Sequence, residues 1–93
     1  MSMENAKVFV EKLYGDDEFI KEFYRNGGIN KKASKEEKNA LMYNVANKMG
    51  YAMDEKDFKE ATSAYFKDKG LWGTIKIFMH FNGVVKEAER ERK

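Results

Sequence analysis

Hydrophobic positions recur at three- and four-residue steps along most of the chain, and polar residues with glycines separate the runs. This pattern predicts a series of short amphipathic helices. Met3, Ala6, Phe9, Val10, Leu13 and Tyr14 share one face of a first helix, with Ser2 as its N-cap and Gly15 as its stop. Asp16 or Asp17 caps the next helix, whose buried edge is Phe19, Ile20, Phe23 and Tyr24 and whose break is Asn26-Gly27-Gly28. Ile29 to Ala33 reads as a polar, basic and flexible connection. Ser34 and Glu37 form a capping box that opens a central helix, with Leu41, Met42, Val45, Ala46 and Met49 on one face. Asn39, Tyr43 and Asn47 fall on the other face, and Asn47→Ala there is expected to matter little. Gly50 closes this helix in a left-handed conformation, with Tyr51 folding back on the last turn. Asp54 caps a fourth helix carrying Phe58, Ala61, Thr62, Tyr65 and Phe66 and ending at Gly70, and Met53 is placed to staple onto Phe58.

Beyond Gly70 the pattern is ambiguous. Leu71, Trp72, Ile75, Phe78 and Met79, with Val85 later, suit a helix, whereas Ile75, Ile77, Met79 and Phe81 alternate as in a strand. Phe78 spoils the alternation and a lone strand has no partner for its amides, so helix is the expected state of residues 71–85. Counted by faces, Leu71, Trp72, Ile75, Phe78 and Met79 are expected to pack onto the preceding helices. Ile77, Phe81 and Val84 then point elsewhere. The charged segment 86–93 reads as a frayed tail.

Composition narrows the class. A chain of 93 residues has room for one small core, and 42% hydrophobic with 14% aromatic residues is enough for it to fold despite 37% charged positions. The expected fold is all-α, a small bundle of four to five short helices in a single domain. Eighteen basic and sixteen acidic side chains leave a formal charge of +2, interspersed in sign, which argues against a strong field for nucleic acid. No disulfide or thiolate metal site is possible without cysteine. The opening residues lack a basic-then-apolar signal and no apolar run approaches the roughly 20 residues of a membrane span, so the expected location is cytoplasmic, with no membrane partner.

Little in the chain suggests catalysis. His80 is the only histidine and has no Cys or His companion, so a surface or partly packed role is expected. The acidic pairs Asp16-Asp17, Glu36-Glu37 and Asp54-Glu55 stand where helices begin, where capping and the helix dipole account for them. Lys31, Lys32, Lys35 and Lys38 beside Arg25 form a basic cluster read as a solvated face. No catalytic, cofactor or metal residue is assigned. The excess of large aromatics and methionine between Leu71 and Phe81 is the most informative feature, because such residues are favoured at recognition surfaces. Trp72, Ile77, Phe78, Phe81 and Val84 are the candidate partner-binding residues, for a homodimer seam or a protein partner.

The order of these pieces resembles the Nif-eleven-like leader-peptide family. The matching residues are Ala6-Lys7-Val8-Phe9-Val10-Glu11-Lys12-Leu13, then Asp17-Glu18-Phe19, then Ala46-Asn47-Lys48-Met49-Gly50-Tyr51 leading into Asp54-Glu55-Lys56-Asp57-Phe58. The resemblance implies a small helical domain that a peptide-modifying enzyme grips while it works on a downstream core peptide. This chain departs from that pattern after Gly70, where there is no Cys and a single Thr, Thr74, and its Gly27-Gly28 pair lies between two helices. The resemblance therefore implies a non-catalytic interaction module without a core peptide. The alternative is a small nucleic-acid-binding protein, in which the central and fourth helices mimic a helix-turn-helix.

Overall fold

The computed structural model describes residues 3–92, and these form an all-α fold. The elements are α1 (Met3–Gly15), α2 (Asp17–Arg25), α3 (Lys35–Lys48) and α4 (Glu55–Arg92). Ser2, the expected cap of α1, lies outside the described residues. Residues 71–82 are helical, and no strand occurs among the described residues.

Helix ends follow the capping chemistry closely. The Asp16 carboxylate accepts from the Phe19 N–H (3.1 Å), the Ser34 hydroxyl from the Glu37 N–H (3.2 Å), and the Asp54 carboxylate from the Asp57 N–H (2.8 Å). α3 closes in a Schellman motif. There the Tyr51 N–H donates to the Ala46 carbonyl (2.9 Å) and the Gly50 N–H to the Asn47 carbonyl (3.1 Å), with Gly50 at φ 98°. α2 closes the same way through Gly27 at φ 81°, with bonds from Gly28 to Phe23 and from Gly27 to Tyr24. Gly28 has a separate reason to be glycine. A Cβ there would lie 2.4–2.7 Å from three ring atoms of Phe23, which is fully buried. Gly28→Ala is therefore expected to lower stability by about 1–3 kcal/mol, as overpacking of a filled core does, and chemical denaturation would show it.

Asn47 corrects an expectation. Its backbone position faces outward, but its side chain reaches the α3–α4 connection, accepting from the Met53 N–H (3.0 Å) and donating to the Met53 carbonyl (2.8 Å). It latches Met53, which is buried with Phe58 in one core cluster. Removing the amide leaves both backbone groups of a buried residue without these partners, so Asn47→Ala is expected to cost about 1–3 kcal/mol rather than nothing. An unchanged denaturation midpoint would show that the latch contributes nothing.

The core centres on α1. Ala6, Phe9, Val10 and Leu13 are fully enclosed, and Phe9 meets Phe19, Phe23, Tyr51 and Phe58 with ring centroids 5.4–6.3 Å apart. α3 contributes Val45 and Ala46 in full, with Leu41, Met42 and Met49 partly buried beside them. Tyr43 also packs partly against the core rather than standing in solvent.

α4 is broken at Gly70, whose φ of 75° and ψ of 178° belong to a region open essentially to glycine alone. Residues 55–69 make a first arm along α1, and residues 71–92 make a second. The two arms fold against each other, with Phe66 and Phe78 stacked at 4.8 Å and the Thr74 hydroxyl donating to the Gly70 carbonyl (2.7 Å). The segment expected to fray is helical through Arg92. Ala88 is buried, Lys21 pairs with Glu91 (3.1 Å) and Glu87 (3.7 Å), and Lys31 pairs with Glu89 (2.7 Å). The bond to Glu91 raises the Lys21 ammonium above its ordinary pKa, aided by the charge of Glu87.

Candidate functional site

The second arm presents apolar residues on two opposite faces, and the structure uses only one of them. Val84, Val85 and Ala88 are buried, Ile77 and Phe81 partly so, and together they seat the arm on Ile20 and on the α1 core. The other face stands in solvent. Leu71 is 74% exposed, Trp72 75%, Met79 71%, Phe78 42% and Ile75 40%. Of the six large hydrophobic side chains exposed among the described residues, these are five.

This placement inverts the sequence expectation. Trp72 and Phe78 of the candidate set lie on the open face, but Ile77, Phe81 and Val84 lie inside. Leu71, Ile75 and Met79, expected in the core, are outside. The stripe that is buried runs Ile77, Phe81, Val84, Val85, Ala88, and its last member falls in the segment that reads as a frayed tail. As part of a continuous helix, Ala88 extends this stripe by a turn and gives it the longer register.

Lys67 and Lys69 on the first arm and Lys76 and Lys86 on the second are exposed, with Asp68 among them; the Lys69 Nζ lies 5.0 Å from the Tyr65 ring centroid, which leaves Lys76 and Lys86 as the lysines carried by the arm of the open face. His80 sits at its side, and its Nε2 is 2.6 Å from the Asp17 carboxylate, tying the second arm to the start of α2. That contact makes His80 an exposed structural tether. Among the described residues, no three His, Asp or Glu side chains converge as a metal site would require, and no helix is long and apolar enough to cross a membrane.

Phe78 borders a second feature, a cleft of about 260 Å³ between α1, the α2–α3 connection, α3 and the second arm. Tyr14, Ile29, Met42, Phe81 and Val85 line it, while Asn30, Lys31, Lys38 and Asn82 stand at the same opening. Ile29 thus helps wall the cleft, and the connection it belongs to is tied by the Asn30 side chain accepting from the Lys32 N–H (3.0 Å).

Tyr14 is nine-tenths buried among Tyr65, Phe66, Phe78 and Phe81, and its hydroxyl makes no hydrogen bond among the described residues. Burial, with the neighbouring Tyr65 adding to it, pushes its pKa up to about 12. A raised pKa favours the folded state while the phenol is protonated. That contribution is complete below about pH 10, where the unfolded phenol titrates, and is lost as the pH rises towards 12. Wild type is expected to lose about 2–3 kcal/mol more than Tyr14→Phe across this window, with the two alike at pH 7. Parallel pH profiles of unfolding free energy would contradict the assignment.

Comparison with family models, with curated proteins and with solved structures finds no match for this chain. The residues that resemble Nif-eleven-like leaders fall on α1, on the start of α2 and on the α3–α4 junction. In this fold they are core and capping residues, and none of them lies on the open face of the second arm.

Proposed function

We propose that this chain is a non-catalytic protein-interaction module that binds an acidic amphipathic helix of another protein on the open face of its second arm. The observation that carries this reading is the cluster of five large apolar side chains left in solvent opposite a filled core face. At aromatic and aliphatic side-chain areas of about 100–250 Å², their exposed fractions amount to roughly 600 Å². That is the upper end of what monomers leave uncovered and most of the ~800 Å² that one side of a standard interface buries. Helix-in-groove contact suits a helical face that carries a tryptophan and a methionine.

Charge selects the occupant. Lys76 and Lys86, exposed on the same arm, favour carboxylates on the flanks of the partner helix. A second copy fits less well. An isologous pairing of antiparallel arms through the open face, centred near Ile75, would set Lys76 close to its own counterpart. The resemblance to leader peptides, where a modifying enzyme holds the helical domain, is in keeping with this class of function, and such an enzyme would be a fitting owner of the acidic helix.

Calorimetric titration with short helical peptides of one apolar stripe and acidic, neutral or basic flanks tests the reading. The acidic peptide is expected to bind tightest, to weaken with salt, and to lose at least tenfold in affinity with the Trp72→Ser/Met79→Ser variant. Equal binding of all three peptides, or binding indifferent to the double variant, would overturn it.

A further inference from the structure

We propose that the cleft beside Phe78 is a binding site for a small amphiphilic carboxylate, an apolar body of about eight or nine heavy atoms carrying one anionic head. The size follows from its volume of about 260 Å³, at the ~30 Å³ that a water-sized group occupies in a liquid. The walls set the apolar part, since Ile29, Met42, Phe81 and Val85 offer no polar side-chain atom able to bind one.

The head group follows from an imbalance of donors. Tyr14 lines the cleft, and its hydroxyl has no hydrogen-bond partner among the described residues while keeping contact with solvent. It can donate to a ligand acceptor that takes the place of water there. Lys31 and Lys38 supply two ammonium groups at the opening. Lys31 is already paired with Glu89, whereas no ion pair holds Lys38 among the described residues. Asn30 and Asn82 add amide donors beside them. No Asp or Glu lines the cleft, so the site as a whole offers donors and positive charge to an acceptor-only group. A cationic or purely aliphatic ligand would leave these donors unanswered.

The site shares Phe78 with the open face but none of Leu71, Trp72, Ile75 and Met79, so a ligand here and a partner there are otherwise read by different residues. Titration of the full-length ¹⁵N-labelled chain with octanoate, with octan-1-ol and octylamine as controls, tests it by amide chemical shifts. Octanoate is expected to saturate, with the largest shifts at Gly28 to Lys31, Met42 and Phe81 to Val85. Octan-1-ol is expected to bind several-fold more weakly, and octylamine not at all. Lys38→Ala should weaken octanoate about fivefold without altering the alcohol, and Tyr14→Phe should weaken it about threefold. Equal affinity for acid and alcohol, an unchanged octanoate affinity in Lys38→Ala, or shifts concentrated at Leu71, Trp72 and Met79 would each overturn the proposal. Lys38 is exposed on α3, so its variant keeps the test decisive even if the Tyr14 variant fails to fold.

Discussion

Phe9→Ala is expected to lower the stability of this protein by about 3–5 kcal/mol, against a total of about 5–14 kcal/mol for a domain of 93 residues. Phe9 is fully buried on α1, and its ring is the one common neighbour of Phe19 and Phe23 on α2, Tyr51 in the connection, and Phe58 at the head of α4. Truncation removes its transfer free energy, leaves a cavity between three helices and the connection, and discards four aromatic contacts at once. Rigid neighbours cannot all collapse into that space. In a chain with no disulfide to hold the remainder, the variant is expected to show a much lower urea midpoint and a population of unfolded molecules at 37 °C. A loss under about 1 kcal/mol would mean that the centre of the core lies elsewhere.

The second large effect separates the two faces of the second arm. Ile77→Ser/Phe81→Ser is expected to cost about 3–6 kcal/mol, since each replacement withdraws a large side chain from the core and sets a hydroxyl in its place. Trp72→Ser/Met79→Ser is expected to change stability by less than about 1 kcal/mol, because both side chains are already about three-quarters exposed in the free protein. Thermal and urea unfolding of the pair, measured side by side, gives the comparison. The reverse ranking, with the Trp72 pair destabilising and the Ile77 pair neutral, would show that the arm is rotated by half a turn about its axis.

That comparison also marks where the chain could and could not be read directly. The α1 stripe, the caps at Asp16 (one of two candidates), Ser34 and Asp54, the break at Gly27 and the left-handed Gly50 are all local to their own helix or its ends, and the structure shows each of them. The face of the second arm is not local. Residues 71–81 are apolar on both sides, so periodicity within them cannot choose, and the choice is made by Val84, Val85 and Ala88 downstream and by Ile20 across the fold. Asn47 escaped for a similar reason. Its latch onto Met53 depends on the path of the connection after Gly50, which no helical wheel of α3 contains. The cleft is tertiary in the same sense. Lys31 and Lys38 read as a solvated basic cluster until Tyr14, Met42 and Val85 are brought behind them.

Trp72 is the only tryptophan in the chain, and it is one of the most exposed side chains of the open face, so its fluorescence reports on the central claim directly. In dilute solution at neutral pH the emission is expected to be that of an indole in water, fully accessible to acrylamide and independent of protein concentration. Adding the acidic amphipathic peptide should shift it to the blue and protect it from the quencher, and the basic peptide should do neither. A blue, protected indole in the free monomer, one that turns blue with protein concentration alone, or one that stays water-exposed at saturating acidic peptide would contradict an open face kept for an acidic partner helix.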